Sequence, residues 1–266
     1  MSDVNLVVLF VVDGMRPDGL QQADTPHIDN VFQRGAYTYT ARTVRPSVTL
    51  PVHTAMFRGV DTERHGITTN IWIPLARPVP SIIEIVHQAG RKTSAFYDWE
   101  QLRDLSDPGH LDRSYFVKAI GRPKSDLEIG SIAARCLQNE REGGLAFVHL
   151  DYTDAAGHNS GWMSEPYLEA ISNADRAIGE VLSVLDEAST AVIITSDHGG
   201  HGKTHGTDSA EDMTIPWGIS APGVVEPGEI TEPVSIIDTA PTIADLLGVP
   251  PAREWTGRSV LGFAKN

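Results

Sequence analysis

The chain reads as an α/β protein, a three-layer sandwich around a mainly parallel central sheet. Three observations predict this. Apolar runs of strand length alternate with amphipathic helical patterns, the order that builds a sheet with helices on both faces. The runs are continuously apolar rather than alternating, as strands covered on both faces are. Three of them end in acids, at Asp13, at Asp151 and Asp154, and at Asp197. In open parallel sheets, ligands sit beyond the carboxyl ends of the strands.

The elements follow in order. Residues 6–12 are a seven-residue apolar run ending in Asp13-Gly14, a strand feeding a loop. A short apolar segment after Thr49, residues 50–57, reads as a helix. Residues 93–97 read as the next strand. Ser125-Asp-Leu-Glu128 has the spacing of a capping box and opens a helix to about residue 139. Residues 145–150 form a third strand. The longest helix covers 165–187, where Tyr167, Ile171, Ala174, Ile178, Val181 and Leu185 step by four and three to give one buried stripe. A strand at 191–195 follows, then a short strand at 234–236 and a helix at 237–247. Three prolines in residues 74–80 are too few to mark a domain boundary, and no repeat or low-complexity segment appears. One domain is expected over 1–266.

Composition excludes several classes. With 266 residues, 41% hydrophobic and 21% charged, the chain is neither disordered nor dependent on cross-links. A formal net charge of −14 argues against nucleic-acid polymers and anionic membranes as partners. The single cysteine, Cys136, excludes an internal disulfide and a Cys-rich zinc module. No run approaches the roughly 18–20 apolar residues of a membrane span, and 6–12 lacks the basic flank of a signal segment. A cytoplasmic location is the default expectation.

The chemistry concentrates at the strand ends. After Asp13 come Asp151-Tyr-Thr-Asp154-Ala-Ala-Gly-His158 and Ser196-Asp197-His198-Gly199-Gly200-His201-Gly202-Lys203-Thr204-His205-Gly206. Carboxylates mixed with imidazoles suit Zn²⁺, Mn²⁺ or Fe²⁺ better than Ca²⁺ or Mg²⁺. An aspartate at one strand end is usually a turn or cap residue. Three Asp/His clusters at three strand ends point instead to metal. Thr49 opens a helix, where positive potential and free amides favour an anion.

These pieces resemble the alkaline phosphatase superfamily, and within it the type I phosphodiesterase/nucleotide pyrophosphatase branch. The matching motifs are Val12-Asp13-Gly14, Pro46-Ser-Val-Thr49-Leu-Pro-Val-His53, Arg64-His-Gly-Ile67 with Asn70, Asp154-Ala-Ala-Gly-His158, Ser196-Asp-His-Gly199 and His205-Gly206, in the family's order. The tail, Asp238-Thr-Ala-Pro-Thr-Ile-Ala-Asp-Leu-Leu-Gly248, resembles the family's closing helix.

The resemblance implies an alkaline-phosphatase-like fold and two divalent metals, Zn²⁺ or Mn²⁺. Asp154, His158 and His205 would hold one metal. Asp13, Asp197 and His198 would hold the other, completed by the Thr49 oxygen. Thr49 would be the nucleophile of a covalent phospho-threonine route. Asn70 and the Thr49 amide would donate to a phosphoryl oxygen. The substrate would be a small phosphorylated molecule. His201 competes with His205, since both precede a glycine. Glu211-Asp-Met-Thr-Ile-Pro-Trp217 follows His205 at the family's distance.

Other positions carry less signal. His53 and His65 read as structural, His149 as a core histidine, and Lys203 as a solvated loop residue. Leu50 and Val52 stand where the nucleotide branch often has Phe and Asn. Stacking could then come from Trp72, Phe96, Tyr97 or Trp99, within a segment 71–125 expected to shape the pocket. Thr49-Leu-Pro-Val-His lacks the Cys or Ser and the Arg of the sulfatase pattern. Mutases of the superfamily are far longer. A monoesterase, a phosphonoacetate-type hydrolase and, from another class, a non-catalytic phospho-ligand sensor remain as rival expectations. No Gly-x-Gly-x-x-Gly follows a strand, which disfavours a dinucleotide fold.

Overall fold

An apolar run such as 6–12 has no polar face to turn to water, so it must be covered on both sides. A computed structural model, which describes residues 4–139 and 143–262, places it at the middle of a sheet as β1 (Leu6–Val12), with every residue buried. The other strands are β2 (Ala36–Arg42), β3 (Lys92–Tyr97), β4 (Arg113–Phe116), β5 (Gly144–Leu150), β6 (Thr190–Thr195), β7 (Thr214–Ser220) and β8 (Gly228–Glu229). Their order across the sheet is β4-β3-β5-β1-β6-β7-β2-β8. Among these strands only β7 opposes its neighbours.

The helices are α1 (Pro17–Gln22), α2 (Pro26–Gln33), α3 (Thr49–Arg58), α4 (Thr62–His65), α5 (Ile82–Gln88), α6 (Ser125–Leu137), α7 (Tyr152–Ser160), α8 (Glu165–Leu182), α9 (Ala210–Met213) and α10 (Thr239–Leu246). Side chains alternate across a strand, so β1 feeds two cores. Val7, Leu9 and Val11 pack with Leu50, Met56, Ile83 and Ile243 from α3, α5 and α10. Leu6, Val8, Phe10 and Val12 pack with Ile28, Ile129, Tyr167, Ile171 and Ile178 from α2, α6 and α8. The result is the expected three-layer sandwich. Among the described residues no helix is long and apolar enough to cross a membrane.

The parallel register aligns the strand ends. Val12 lies opposite Leu150, and Val11 opposite Thr195, so the turns after β1, β5 and β6 emerge at one edge. β7 runs the other way, which brings the residues preceding it to that same edge.

Three local expectations are corrected. Ser125 does not cap its helix. Lys124 takes the cap position without a side-chain bond, Ser125 is buried as the first helical residue, and Glu128 pairs with Arg122. The long helix ends at Leu182 rather than 187. Residues 234–236 make only one bridge, Arg42 to Ser235, before a 3-10 turn over Ile236–Asp238.

β2, β4, β7 and β8 lie outside the strands expected from apolar runs. β4 and β8 are short and mostly exposed at the sheet edges, so nothing selects for an apolar run. β7 contains Pro216, which ordinarily argues against a central strand. Here the β2–β7 register shifts between Thr38 and Ala41, opposite that proline, and the Pro216 carbonyl accepts from Thr195 Oγ1 at 2.8 Å.

Candidate metal centre

The turn after β1 carries Asp13 and Gly14. Gly14 has φ +68°, a conformation that disfavours a β-carbon, and Asp154 lies 3.2 Å from where that carbon would stand. Its amide donates to Asp197 Oδ1 at 3.1 Å, and the His198 amide donates to the same oxygen at 2.9 Å. With Oδ1 so held, Asp197 turns Oδ2 into the site. Asp13 is divided likewise: Oδ2 meets His149 Nε2 at 3.1 Å, leaving Oδ1 free. Asp154 and His158 are four apart on α7 and share a face, His158 Nε2 lying 3.4 Å from Asp154 Oδ2.

The structure brings the expected ligands into two groups. In each of Asp154–His158–His205 and Asp13–Asp197–His198, one ligand atom per residue lies within 4.8 Å of the others. The His198 and His205 rings stack at 3.8 Å and join the groups. His201 is elsewhere. Its Nδ1 meets Asp212 Oδ1 at 2.7 Å, and of the two histidines it is His205 that lies with Asp154 and His158.

The donor set fits cations. His158 Nδ1 lies 2.9 Å from the Lys203 carbonyl, His198 Nδ1 2.8 Å from the Gly199 carbonyl, and His205 Nδ1 2.8 Å from the Ser47 carbonyl. A carbonyl only accepts, so each Nδ1 carries the proton. In the neutral ring the Nε2 lone pair is then bare. Burial holds His198 down to about 4. Burial, then the His198 ring, does the same to His205. These bare nitrogens face carboxylate oxygens. His198 Nε2 is 3.4 Å from Asp13 Oδ1 and from Asp197 Oδ2, and His205 Nε2 is 3.7 Å from Asp154 Oδ1. Those three oxygens are buried and have no hydrogen-bond partner among the described residues. Lone pair against lone pair is repulsive unless a cation or a proton lies between. Burial, then the charges of Asp197 and Asp154, pushes Asp13 well above the usual carboxylate range. Burial, then Asp151 and Asp197, does so for Asp154.

Thr49 is the first residue of α3, after Val48 at the cap, and is buried. Its Oγ1 is 3.4 Å from His198 Nε2, at the second group. In the first turn the Leu50 amide donates to Asn70 Oδ1 at 3.0 Å, and residue 51 is a proline with no amide hydrogen. This fixes the Asn70 side chain and leaves its NH₂ to donate elsewhere. Among the described residues, the Thr49 amide likewise keeps no helical acceptor.

The remaining candidates fall outside the clusters. His53 Nδ1 meets the Thr49 carbonyl at 2.9 Å, and His65 Nδ1 accepts from the Ile67 amide at 3.0 Å. Lys203 donates to the Asn159 carbonyl at 2.6 Å. Phe96 and Tyr97 are buried, Phe96 stacking on Tyr115 at 5.4 Å. Trp72 and Trp99 are half-buried against the core, and the Arg58 guanidinium lies over Trp72 at 5.8 Å.

Sequence reasoning missed three supporting residues, Asp212, Trp162 and Asp98, and read His149 only as a core histidine. Asp212 is buried and holds both ends of the ligand loop, His201 through Oδ1 and the Thr207 amide through Oδ2. Trp162 stands edge-on to His158 at 5.1 Å and His205 at 5.9 Å, and its indole donates to the Gly14 carbonyl at 2.9 Å. His149 and Asp98 form a buried pair behind Asp13. Gly157 and Gly200 carried a signal for Trp162. A β-carbon on Gly200 would fall 2.2 Å from its ring. Gly200→Ala is therefore expected to cost about 1–3 kcal/mol. It should also weaken cation binding at the His158–His205 group, read by thermal unfolding and metal titration.

A sequence model described as "Type I phosphodiesterase / nucleotide pyrophosphatase" matches residues 7–211. A 2,3-bisphosphoglycerate-independent phosphoglycerate mutase of Staphylococcus saprophyticus is 30% identical over 142 residues, covering 52% of this chain but only 28% of the mutase. A phosphonate monoester hydrolase of Agrobacterium radiobacter has the same fold, with TM-score 0.78 and 15% identity over 98% of this chain and 77% of that one. So does murine ectonucleotide pyrophosphatase/phosphodiesterase 5, solved as an inactive threonine-to-alanine variant with AMP, at TM-score 0.76 and 16% identity over 93% of this chain and 96% of that one. With the family model spanning most of its length, the chain belongs to the type I phosphodiesterase/nucleotide pyrophosphatase family, enzymes of the alkaline phosphatase superfamily.

Proposed function

We propose that this enzyme is a two-metal phosphohydrolase. It cleaves a phosphodiester or pyrophosphate bond of a small molecule through a covalent phospho-threonine. The observation that carries the reading is the set of buried, unpartnered oxygens on Asp13, Asp154 and Asp197 facing bare imidazole nitrogens. Asp154, His158 and His205 would hold one divalent cation. Asp13, Asp197, His198 and the Thr49 oxygen would hold the other. Zn²⁺ suits the ligands, with Mn²⁺ as the alternative. When bound, such ions make a hydroxyl more acidic and supply the positive charge that a protein of net charge −14 needs to receive a phosphate.

The chain's own residues do the rest. Thr49 Oγ1, its proton lost to solvent, attacks phosphorus in line as the bond to the leaving oxygen breaks, and that oxygen takes a proton from water. The Asn70 NH₂ and the Thr49 amide donate to a non-bridging oxygen and hold the phosphoryl group for the attack. Water then cleaves the ester to Thr49 from the opposite side. The described residues act as one catalytic domain, with 71–125, including Trp72 and Trp99, shaping the leaving-group pocket.

Turnover of a nitrophenyl phosphodiester and a nitrophenyl phosphomonoester, side by side on metal-reloaded protein, tests this. A diester preference is expected. A monoester preference would make the enzyme a phosphatase, and no turnover of either would favour a phosphonate hydrolase or a sensor. Asn70→Ala is expected to lower kcat/KM by about 10²–10³. An unchanged value would remove Asn70 from the site.

A further inference from the structure

Behind Asp13 lies a buried polar chain that the proposed chemistry does not use. His149, at the end of β5, puts Nε2 3.1 Å from Asp13 Oδ2 and Nδ1 3.2 Å from Asp98 Oδ1. Asp98 directly follows β3, so two parallel strand ends flank the ring. All three residues are buried. The ring is also walled by His53, edge-on at 5.0 Å, and by Phe147 at 6.2 Å.

The chain continues past Asp98. Its Oδ1 also accepts from the Asp151 amide at 3.0 Å, and Asp126 Oδ1, at the start of α6, accepts from the Tyr152 amide at 3.1 Å. Asp98 and Asp126 therefore hold the turn from which α7 carries Asp154 and His158. Burial pushes both carboxyls well above their usual range. For Asp98 the Asp151 charge adds to it, and for Asp126 the Asp98 charge.

A histidine kept only for packing would not need a carboxylate at each nitrogen. Burying such acids costs more than an apolar side chain of the same shape would. The arrangement does have one geometric consequence. It occupies Asp13 Oδ2 and leaves Oδ1, unpartnered and 3.4 Å from His198 Nε2, as the oxygen presented to the second group.

We propose that His149, held by Asp98, is a positioning residue that fixes which oxygen of Asp13 faces the metal and so sets the cation affinity of the Asp13–Asp197–His198 group. This rests on the two-metal reading. Outer partners of metal ligands act in this way by fixing the ligand's orientation.

The test is a Zn²⁺ titration of the full, metal-stripped chain against a chromophoric chelator. His149→Leu is expected to weaken one of two affinities about 10–100-fold and leave the other unchanged. The loss should persist in an Asp154→Asn background, which disables the other group. His149→Gln can still donate to Asp13 and should recover most of the affinity. Asp98→Asn, nearly isosteric, should weaken the same site by a smaller factor. Thermal unfolding of the stripped variants checks that they fold. The proposal is overturned if folded His149→Leu and Asp98→Asn both bind like wild type, or if both affinities fall together. It is also overturned if Gln is no better than Leu. A wild-type chain that takes up no cation fails the metal reading itself, a result distinct from these.

Discussion

Thr49→Ala is expected to lower turnover by roughly four to six orders of magnitude, the scale seen when a covalent nucleophile is removed. Thr49 is buried at the first turn of α3, and its Oγ1 lies 3.4 Å from His198 Nε2. Nothing else in the site offers a hydroxyl at that position among the described residues. The carboxylates and imidazoles stay in place, so Thr49→Ala should still bind both cations, at slightly lower affinity in the second group. Thr49→Ser keeps the hydroxyl and should retain measurable activity. Turnover and bound metal, measured on the same samples, check this. Retained activity in Thr49→Ala would refute the covalent route, and loss of metal along with activity would make Thr49 chiefly a ligand.

On the proposed two-metal reading, removing the cations should destabilise the fold sharply. A cation present at a thousandfold excess over its Kd contributes about 4 kcal/mol. In a chain of this size that corresponds to about 10 °C in Tm for each site. The reason lies in the cluster itself: Asp13, Asp154 and Asp197 converge with no hydrogen bond to one oxygen of each. Asp154→Asn should then change sign with conditions. In Zn²⁺ the variant loses one cation and is less stable than wild type. After chelation it should be more stable, by on the order of 1 kcal/mol, because one buried charge is gone. Thermal unfolding of both proteins, with and without chelator, decides it. A stripped variant no more stable than stripped wild type would mean that the carboxylates do not repel one another as described.

Much of the architecture was legible because the signals are local. The run 6–12 can only be a strand covered on both faces, and the stripe from Tyr167 to Val181 can only be one face of a helix. The candidate ligand motifs were legible for the same reason. Asp154 and His158 are four residues apart, and Asp197 and His198 are adjacent. The four unread strands lacked that local signal, β2 because its Tyr and Thr residues mix buried with half-exposed and exposed positions instead of forming an apolar run. Two are short and at the sheet edges, and β7 contains a proline that a register shift in its neighbour accommodates.

By itself the sequence determined the fold class, the family motifs and the residue types at three strand ends. Each depends on a few neighbouring positions and the side-chain period they impose. Only the tertiary structure decided which nitrogen of each histidine is unprotonated, that His205 rather than His201 lies with Asp154 and His158, and that Trp162 backs His158 and His205. It also showed that the core histidine His149 bridges Asp98 and Asp13, 51 and 136 residues away in the chain. Those outcomes are set by strand order and register, which bring distant residues within hydrogen-bond reach and leave no trace in local spacing.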